Sequence, residues 1–192
     1  MSATFGVSVA DLDGDGKDDV FLAQNFFDFQ PEMPRLDAGR GLVLLGLGTG
    51  GFRALSGDES GIKIYGEQRG SAVADFDGDG RMDLAVGQNN GGTKLLRNAK
   101  AQPGLRVRLI GTEGNPDAIG ATLRPIVAGV KGSLHELHAG SGWWSCDSPV
   151  SIVPALATEV EVRWPGGSVT TAKVPAGARE ISINTKGVVL AK

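Results

Sequence analysis

The 192-residue chain has one cysteine, Cys146, only two histidines, and no apolar run long enough to cross a bilayer. A single thiol excludes an internal disulfide framework, although it says little about compartment. His135 and His138 lie in one short segment, so no Ser-His-Asp arrangement can be singled out. Charge is scarce as well. Nineteen basic and 22 acidic residues leave a net charge of -3, too small to argue for nucleic acid or a membrane surface as partner. The opening MSATFGVSVA lacks a basic n-region and a long apolar core. It is not read as a signal peptide, and Met1 is read as the start of an expressed fragment.

Glycine is abundant: 30 residues against nine prolines, which implies many tight turns and favours an all-β chain. With 41% hydrophobic and 21% charged residues the chain is globular, with length for one large or two small domains. Its acidity is local. DLDGDGKDDV (11–20) packs five aspartates into nine positions, and DFDGDGRMDL (75–84) nearly repeats it. Unit charges about 4 Å apart repel by roughly 4 kcal/mol at a surface-like dielectric, so a folded loop of this kind needs a compensating cation.

The duplication extends beyond the loops: SVADLDGDGKDDVFLAQNF (8–26) aligns without gaps on AVADFDGDGRMDLAVGQNN (72–90). In each copy an apolar lead-in and an apolar run, Val20–Ala23 or Leu84–Val86, flank the loop. They are too short for helices and read as buried strands. GLVLLGLG (41–48) and TKLLRN (93–98) read as further strands, and 26–40 as a long surface loop. After AKAQPG (99–104) the texture changes to strict alternation, with Leu105, Val107 and Leu109 set against Arg106 and Arg108. Val160, Val162 and Trp164 alternate with charge, and WPGGSV (164–169) reads as a hairpin. Segments at 121–127, 133–139, 150–153, 168–174, 180–183 and 188–190 complete about eight strands at β-sandwich spacing. The domain boundary is placed near residue 102.

The loop pattern is D-x-D-x-D-G-x-x-D. Asp11, Asp13, Asp15 and Asp19 fill positions 1, 3, 5 and 9, as do Asp75, Asp77, Asp79 and Asp83. Hard oxygens with no nearby His or Cys select calcium over zinc or copper. Calcium takes 6–8 oxygens in a flexible shell, to which the backbone carbonyls of Lys17 and Arg81 would add, their side chains pointing outward. Gly16 and Gly80 permit the sharp turn. An EF-hand is excluded, because position 12 is Leu22 or Val86 instead of Glu and the flanks are strands. The expectation is about two calcium ions per chain.

The strand–DxDxDGxxD–strand unit resembles the FG-GAP/VCBS repeat of integrin-α-type β-propellers. NPDAIGATLRPIVAGVKGSLHELHAGSGWW (115–144) with VEVRWPGGSV (160–169) resembles the ASPIC/UnbV domain of the cartilage acidic protein family and its exported bacterial relatives. The chain departs from that family at SIVPAL (151–156), where a Phe-Gly-Leu-Gly-like stretch is usual, and at Cys146, where Gln is usual. The resemblance implies an all-β fold, with partial propeller-like blades at 1–102 and a β-sandwich at 103–192. It also implies a secreted, periplasmic or cell-surface parent protein and a role in interaction or adhesion. A propeller needs about 4–8 blades. Two repeats make fewer than two, so the chain reads as the C-terminal part of a longer protein, with association-prone sheet edges.

Other candidates are weaker. GLGTGG (46–51) fits G-x-G-x-x-G, but the turn-rich FRALSGDESG follows where a phosphate site requires a helix; a β-turn is the better reading. In a strand, His135 and His138 would face opposite ways, without a third zinc ligand. Trp143 and Trp144, read as adjacent strand residues, would divide between core or interface and surface. An exposed one would suit a sugar or a partner's pocket. Trp164 reads as core. With no nucleophile–base pair evident, the chain is expected to be a non-catalytic binding or scaffold module for a protein partner. A carbohydrate-binding module using Trp143 and Trp144 is the alternative, and a hydrolase the least favoured reading.

Overall fold

The computed structural model describes residues 2–28 and 30–191. Among the described residues the chain is all-β apart from one four-residue helical turn, Gly57–Ser60. The first blade-like sheet has strands β1 (Thr4–Ala10), β2 (Asp19–Gln24), β3 (Leu42–Gly46) and β4 (Phe52–Ala54), antiparallel in that order. The second has β5 (Glu67–Ala74), β6 (Asp83–Asn89) and β7 (Gly91–Leu96). Each aspartate loop joins the first two strands of its sheet, as the repeat predicts. Among its described residues the 26–40 excursion carries no strand; Phe29, within it, lies outside them.

Small residues let the two sheets meet closely. Gly6, Ser8 and Ala10 on β1 are buried, and the Ser8 and Ser71 hydroxyls are 2.7 Å apart. Phe21, Ala23 and Val43 pack with Val73, Leu84 and Val86 to form the first core. Both β1 and β5 bulge at matching positions, between Thr4 and Gly6 and between Gln68 and Ser71. The Arg69 guanidinium lies there, 4.1 Å from the Phe5 ring centroid.

The second half is a sandwich. One sheet has β8 (Leu105–Ile110), β12 (Val150–Val153), β15 (Glu180–Asn184) and β16 (Val189–Ala191), in the order β12-β8-β15-β16. The other has β9 (Thr122–Val127), β10 (Val130–Lys131), β13 (Glu159–Arg163) and β14 (Val169–Lys173), with β11 (His135–Glu136) also paired to β9. Leu105, Val107 and Leu109 meet Leu123, Val160, Val162, Trp164, Ile181 and Ile183 between the sheets, as the alternation predicts. The Trp164 indole N–H donates to Thr170 Oγ1 at 2.8 Å.

Three expectations change. The strand expected over 133–139 shrinks to two residues. Beyond Glu136 the Leu137 N–H and C=O bond to Ala121 and Gly120, and glycines follow at 140 and 142. A short strand, β10, joins β9 through a tight turn in which Ala128 and Gly129 both have positive φ. FRALSGDESG is not all turn: it holds β4 and the helical turn, closed by a Ser56–Glu59 capping box. GLGTGG remains a turn, with Leu47 N–H donating to Gly51 O.

The segment between the cores runs across both aspartate loops. Gln102 N–H donates to Asp13 O at 3.2 Å, and Gly104 N–H to Gly80 O at 2.7 Å. At the free edge of β5, Val73 N–H donates to Asp147 Oδ1 and Ser148 N–H to Val73 O. Gly14 shows how close the approach is: a Cβ there would stand 2.5 Å from Gln102 O, at φ +82°. Its equivalent in the other loop, Gly78 at φ +77°, has open space. Gly78→Ala is therefore expected to cost about 1–2 kcal/mol, the left-handed penalty alone. Gly14→Ala should cost at least about 1 kcal/mol more because backbone must also move. Urea unfolding of the two variants measures the difference.

Candidate metal centre

Each loop is wound around its first aspartate. Asp11 accepts N–H bonds from Gly14 (2.8 Å), Asp15 (3.1 Å) and Gly16 (2.8 Å). Asp75 accepts the equivalent bonds from Gly78 (2.9 Å), Asp79 (3.0 Å) and Gly80 (2.8 Å). The last aspartate ties the loop to its sheet. Asp19 accepts from Leu12 N–H and, at 2.8 Å, from Gly46 N–H at the end of β3. Asp83 does the same with Phe76 N–H and with Asn98 N–H beyond β7, the latter at 2.7 Å. Asn98 also joins the loops to each other, its Nδ2 donating to Leu12 O at 2.8 Å and to Met82 O at 3.1 Å.

This winding brings carboxylates together. Oxygens of Asp11, Asp13 and Asp15 lie within 4.8 Å of one another, as do those of Asp75, Asp77 and Asp83. Asp19 stands outside the first cluster and Asp79 outside the second. An all-oxygen donor set gathered by a tight loop fits a hard divalent cation. Beside both loops, a cleft of about 540 Å³ reaches the sandwich, with Asp15, Arg81, Gln102 and Pro154 among its walls.

The electrostatics reflect the crowding. Burial raises Asp19 from its ordinary value to about 6, against the Gly46 and Leu12 N–H bonds, and Asp13 and Asp11 push the same way. Burial also raises Asp11, opposed by the Gly16 and Gly14 N–H groups and reinforced by Asp13 and Asp15. Asp83 is raised by burial against its backbone bonds. At Asp79 burial opposes ionisation, but Arg81 and Arg97 outweigh it and hold the carboxyl below its ordinary value.

The cationic side chains at position 7 do not point outward, contrary to the sequence expectation. Lys17 turns back onto Asp15, and Arg81 onto Asp79 at 2.8 Å, each reaching the carboxylate two residues earlier. Sequence reasoning also missed Arg97, Asn98 and Arg106. Arg97 pairs with Asp77 and Asp79, and Arg106, from the sandwich, pairs with Asp75. Alternation placed Arg106 off the core face but held no signal for the loop it reaches.

Neither tryptophan of the 143–144 pair is on a strand, so the two do not face opposite ways. They sit in a loop closed by Ser141 N–H to Ser145 O, with Trp144 at φ +47°. Trp143 packs edge-on to Phe5 at 6.1 Å, at the contact with the first blade. Trp144 stacks on Trp143 at 6.4 Å and is 96% exposed. The histidines stand apart from any metal cluster: among the described residues no group of three ligating side chains includes either. His135 is lowered by burial, against Asp18, and His138 lies outside the strand, 3.9 Å from Asp147.

Paired blade-like sheets with acidic strand-joining loops, followed by a sandwich, define an acidic-loop repeat protein of the propeller-blade kind. Residues 11–86 match the FG-GAP-like repeat family, and residues 111–189 match the ASPIC and UnbV family. The chain is thus similar to FG-GAP-like repeats in its first half and to an ASPIC/UnbV domain in its second, a combination that suggests an extracellular-type interaction module. No curated protein matches it significantly. No described helix is long and apolar enough to cross a membrane.

The raised Asp19 carboxyl has a measurable consequence. Between about pH 4 and pH 6 the folded chain holds a proton at Asp19 that the unfolded chain has released, so its contribution to stability falls as pH rises through that window. In EDTA, the melting temperature of the wild type relative to Asp19→Asn should decline from about pH 4 to about pH 6 and then level off. A flat difference across thermal melts in that range would contradict the assignment.

Proposed function

We propose that this chain is a calcium-stabilised, non-catalytic interaction module of an extracellular or periplasmic protein. The observation that supports calcium most directly is the gathering of three carboxylates within 4.8 Å at the same strand junction of both repeats. Asp11, Asp13 and Asp15, with Asp19 and the Lys17 carbonyl, would hold one ion. Asp75, Asp77 and Asp83, with Asp79 and the Arg81 carbonyl, are the matching set. A bound ion supplies two positive charges against carboxylate repulsion. The residues supply the rest. Asp11 and Asp75 set the winding, and Asp19 and Asp83 pin the loops to β3 and the end of β7. A stiffened strand junction then presents the blades and the adjoining sandwich as one binding surface. The partner is proposed to be a protein, with self-association through the outer strands β4 and β7 as a further route.

A glycan partner is the second reading, favoured by the Trp144 ring, which is 96% exposed and stacked on Trp143. Such a platform suits the apolar face of a sugar. Glycan-array binding that disappears in Trp144→Ala, with the fold intact by circular dichroism, would support it over the protein partner.

For the calcium reading, the melting temperature of EDTA-stripped protein should climb with added CaCl2, corresponding to about 2.7 kcal/mol at a hundredfold excess over the dissociation constant. Magnesium should substitute poorly, since it demands a smaller, near-octahedral shell. Asp13→Ala should reduce the increment. A melting temperature unmoved by millimolar calcium would remove the reading.

A further inference from the structure

The two loops are equal in carboxylates and unequal in cations. Asp11, Asp13, Asp15 and Asp19 correspond one for one to Asp75, Asp77, Asp79 and Asp83. Among the described residues, Lys17 is the cation paired with the first set, and its side chain and that of its partner Asp15 are 44% and 37% exposed. Three guanidinium groups meet the second set. Arg106 pairs with Asp75, Arg97 with Asp77 and Asp79, and Arg81 with Asp79.

Two of these arginines, Arg81 and Arg106, are built into the fold. The Arg106 side chain is 17% exposed against a fully buried Asp75 carboxylate, and its Nε donates to Glu180 Oε2 at 3.1 Å across the β8–β15 pair. Arg81 Nε donates to Ala101 O at 2.7 Å, in the segment between the cores. Strand register puts Leu45 in the first blade where Arg97 stands in the second, because Leu44 faces Val20 as Leu96 faces Leu84. No residue of the sandwich is ion-paired to the first loop among the described residues. A divalent cation approaching the first loop meets one partly exposed ammonium. At the second it meets three guanidinium groups that stay charged at any working pH, two of which, Arg81 and Arg106, are also held by other bonds.

We propose that the loops have parted in role. The first, 11–19, is the divalent-cation site. The second, 75–83, is an arginine-closed joint through which the sandwich, by Arg106, holds the second blade. This rests on the calcium reading above and goes further by ranking the two loops.

The test is calorimetric titration of the EDTA-stripped full chain with CaCl2 alone, alongside thermal melts in EDTA. One ion per chain is expected in the tight class. Asp13→Asn should weaken it by about tenfold or more, while Asp77→Asn should change it by less than about threefold. Arg97→Gln, at a surface side chain that the fold does not require, should raise calcium affinity at the second loop or add a second measurable equivalent. In EDTA, Asp75→Asn should lower the melting temperature by several degrees more than Asp11→Asn, because the two carboxylates wind their loops alike but only Asp75 is the buried partner of Arg106. Two ions of like affinity in the wild type, or a tight site lost in Asp77→Asn and kept in Asp13→Asn, would overturn the ranking while leaving calcium binding intact. Equal melting losses in Asp75→Asn and Asp11→Asn would overturn the joint. Calorimetric silence in both the wild type and Arg97→Gln would remove calcium binding itself and this inference with it.

Discussion

Carboxylates held close together must be neutralised or the loop that holds them will open, and much of this structure is arranged around that requirement. Each aspartate loop closes by donating backbone N–H groups to its first and last carboxylates. Amide dipoles carry partial charge, enough to orient a carboxylate but short of cancelling four. The deficit shows in both loops, where burial and neighbouring aspartates raise Asp11, Asp19 and Asp83. Hard-cation chemistry follows from a deficit of this kind combined with oxygen-only donors.

The same requirement ties the two halves of the chain together. A sandwich hydrogen-bonded to the repeats only through the crossing segment at 102–104 could swing on a few backbone bonds. Arg106 adds a partly buried ion pair directed at Asp75, and Asp147 and Ser148 occupy the exposed edge of β5. That edge would otherwise offer unpaired N–H and C=O groups to any passing strand. Two separate apolar cores thus meet across a polar contact, the arrangement expected where domains must be oriented without being fused.

Aromatic groups mark the other side of this contact. Arg69 lies over Phe5, Phe5 meets Trp143 edge-on, and Trp143 carries Trp144 outward into solvent. Trp143 thus buries one side at the junction. Trp144, held at φ +47°, retains almost all of its surface. A backbone conformation that costs free energy thus keeps an indole in water.

The sequence by itself determined the strand pattern, the duplicated loops, the sandwich core and the chemistry of the carboxylates, because these depend on local order. Side chains alternate with period two along a strand, so Leu105, Val107 and Leu109 identified their own face. The spacing of Asp11, Asp13 and Asp15 within one tight turn already implied clustered oxygens. Tertiary structure decided what no local spacing encodes: which cation meets which aspartate. Arg97 reaches its partners only through the register of β7, Arg106 only because the sandwich docks against the second blade, and Asn98 only because the loops lie side by side. The same holds for Trp143 and Trp144, which read as alternating strand residues until their loop closed on itself and turned both rings the same way. Charge neutralisation and ring packing act through space, over a few ångströms, between residues as far apart in the chain as Phe5 and Trp143.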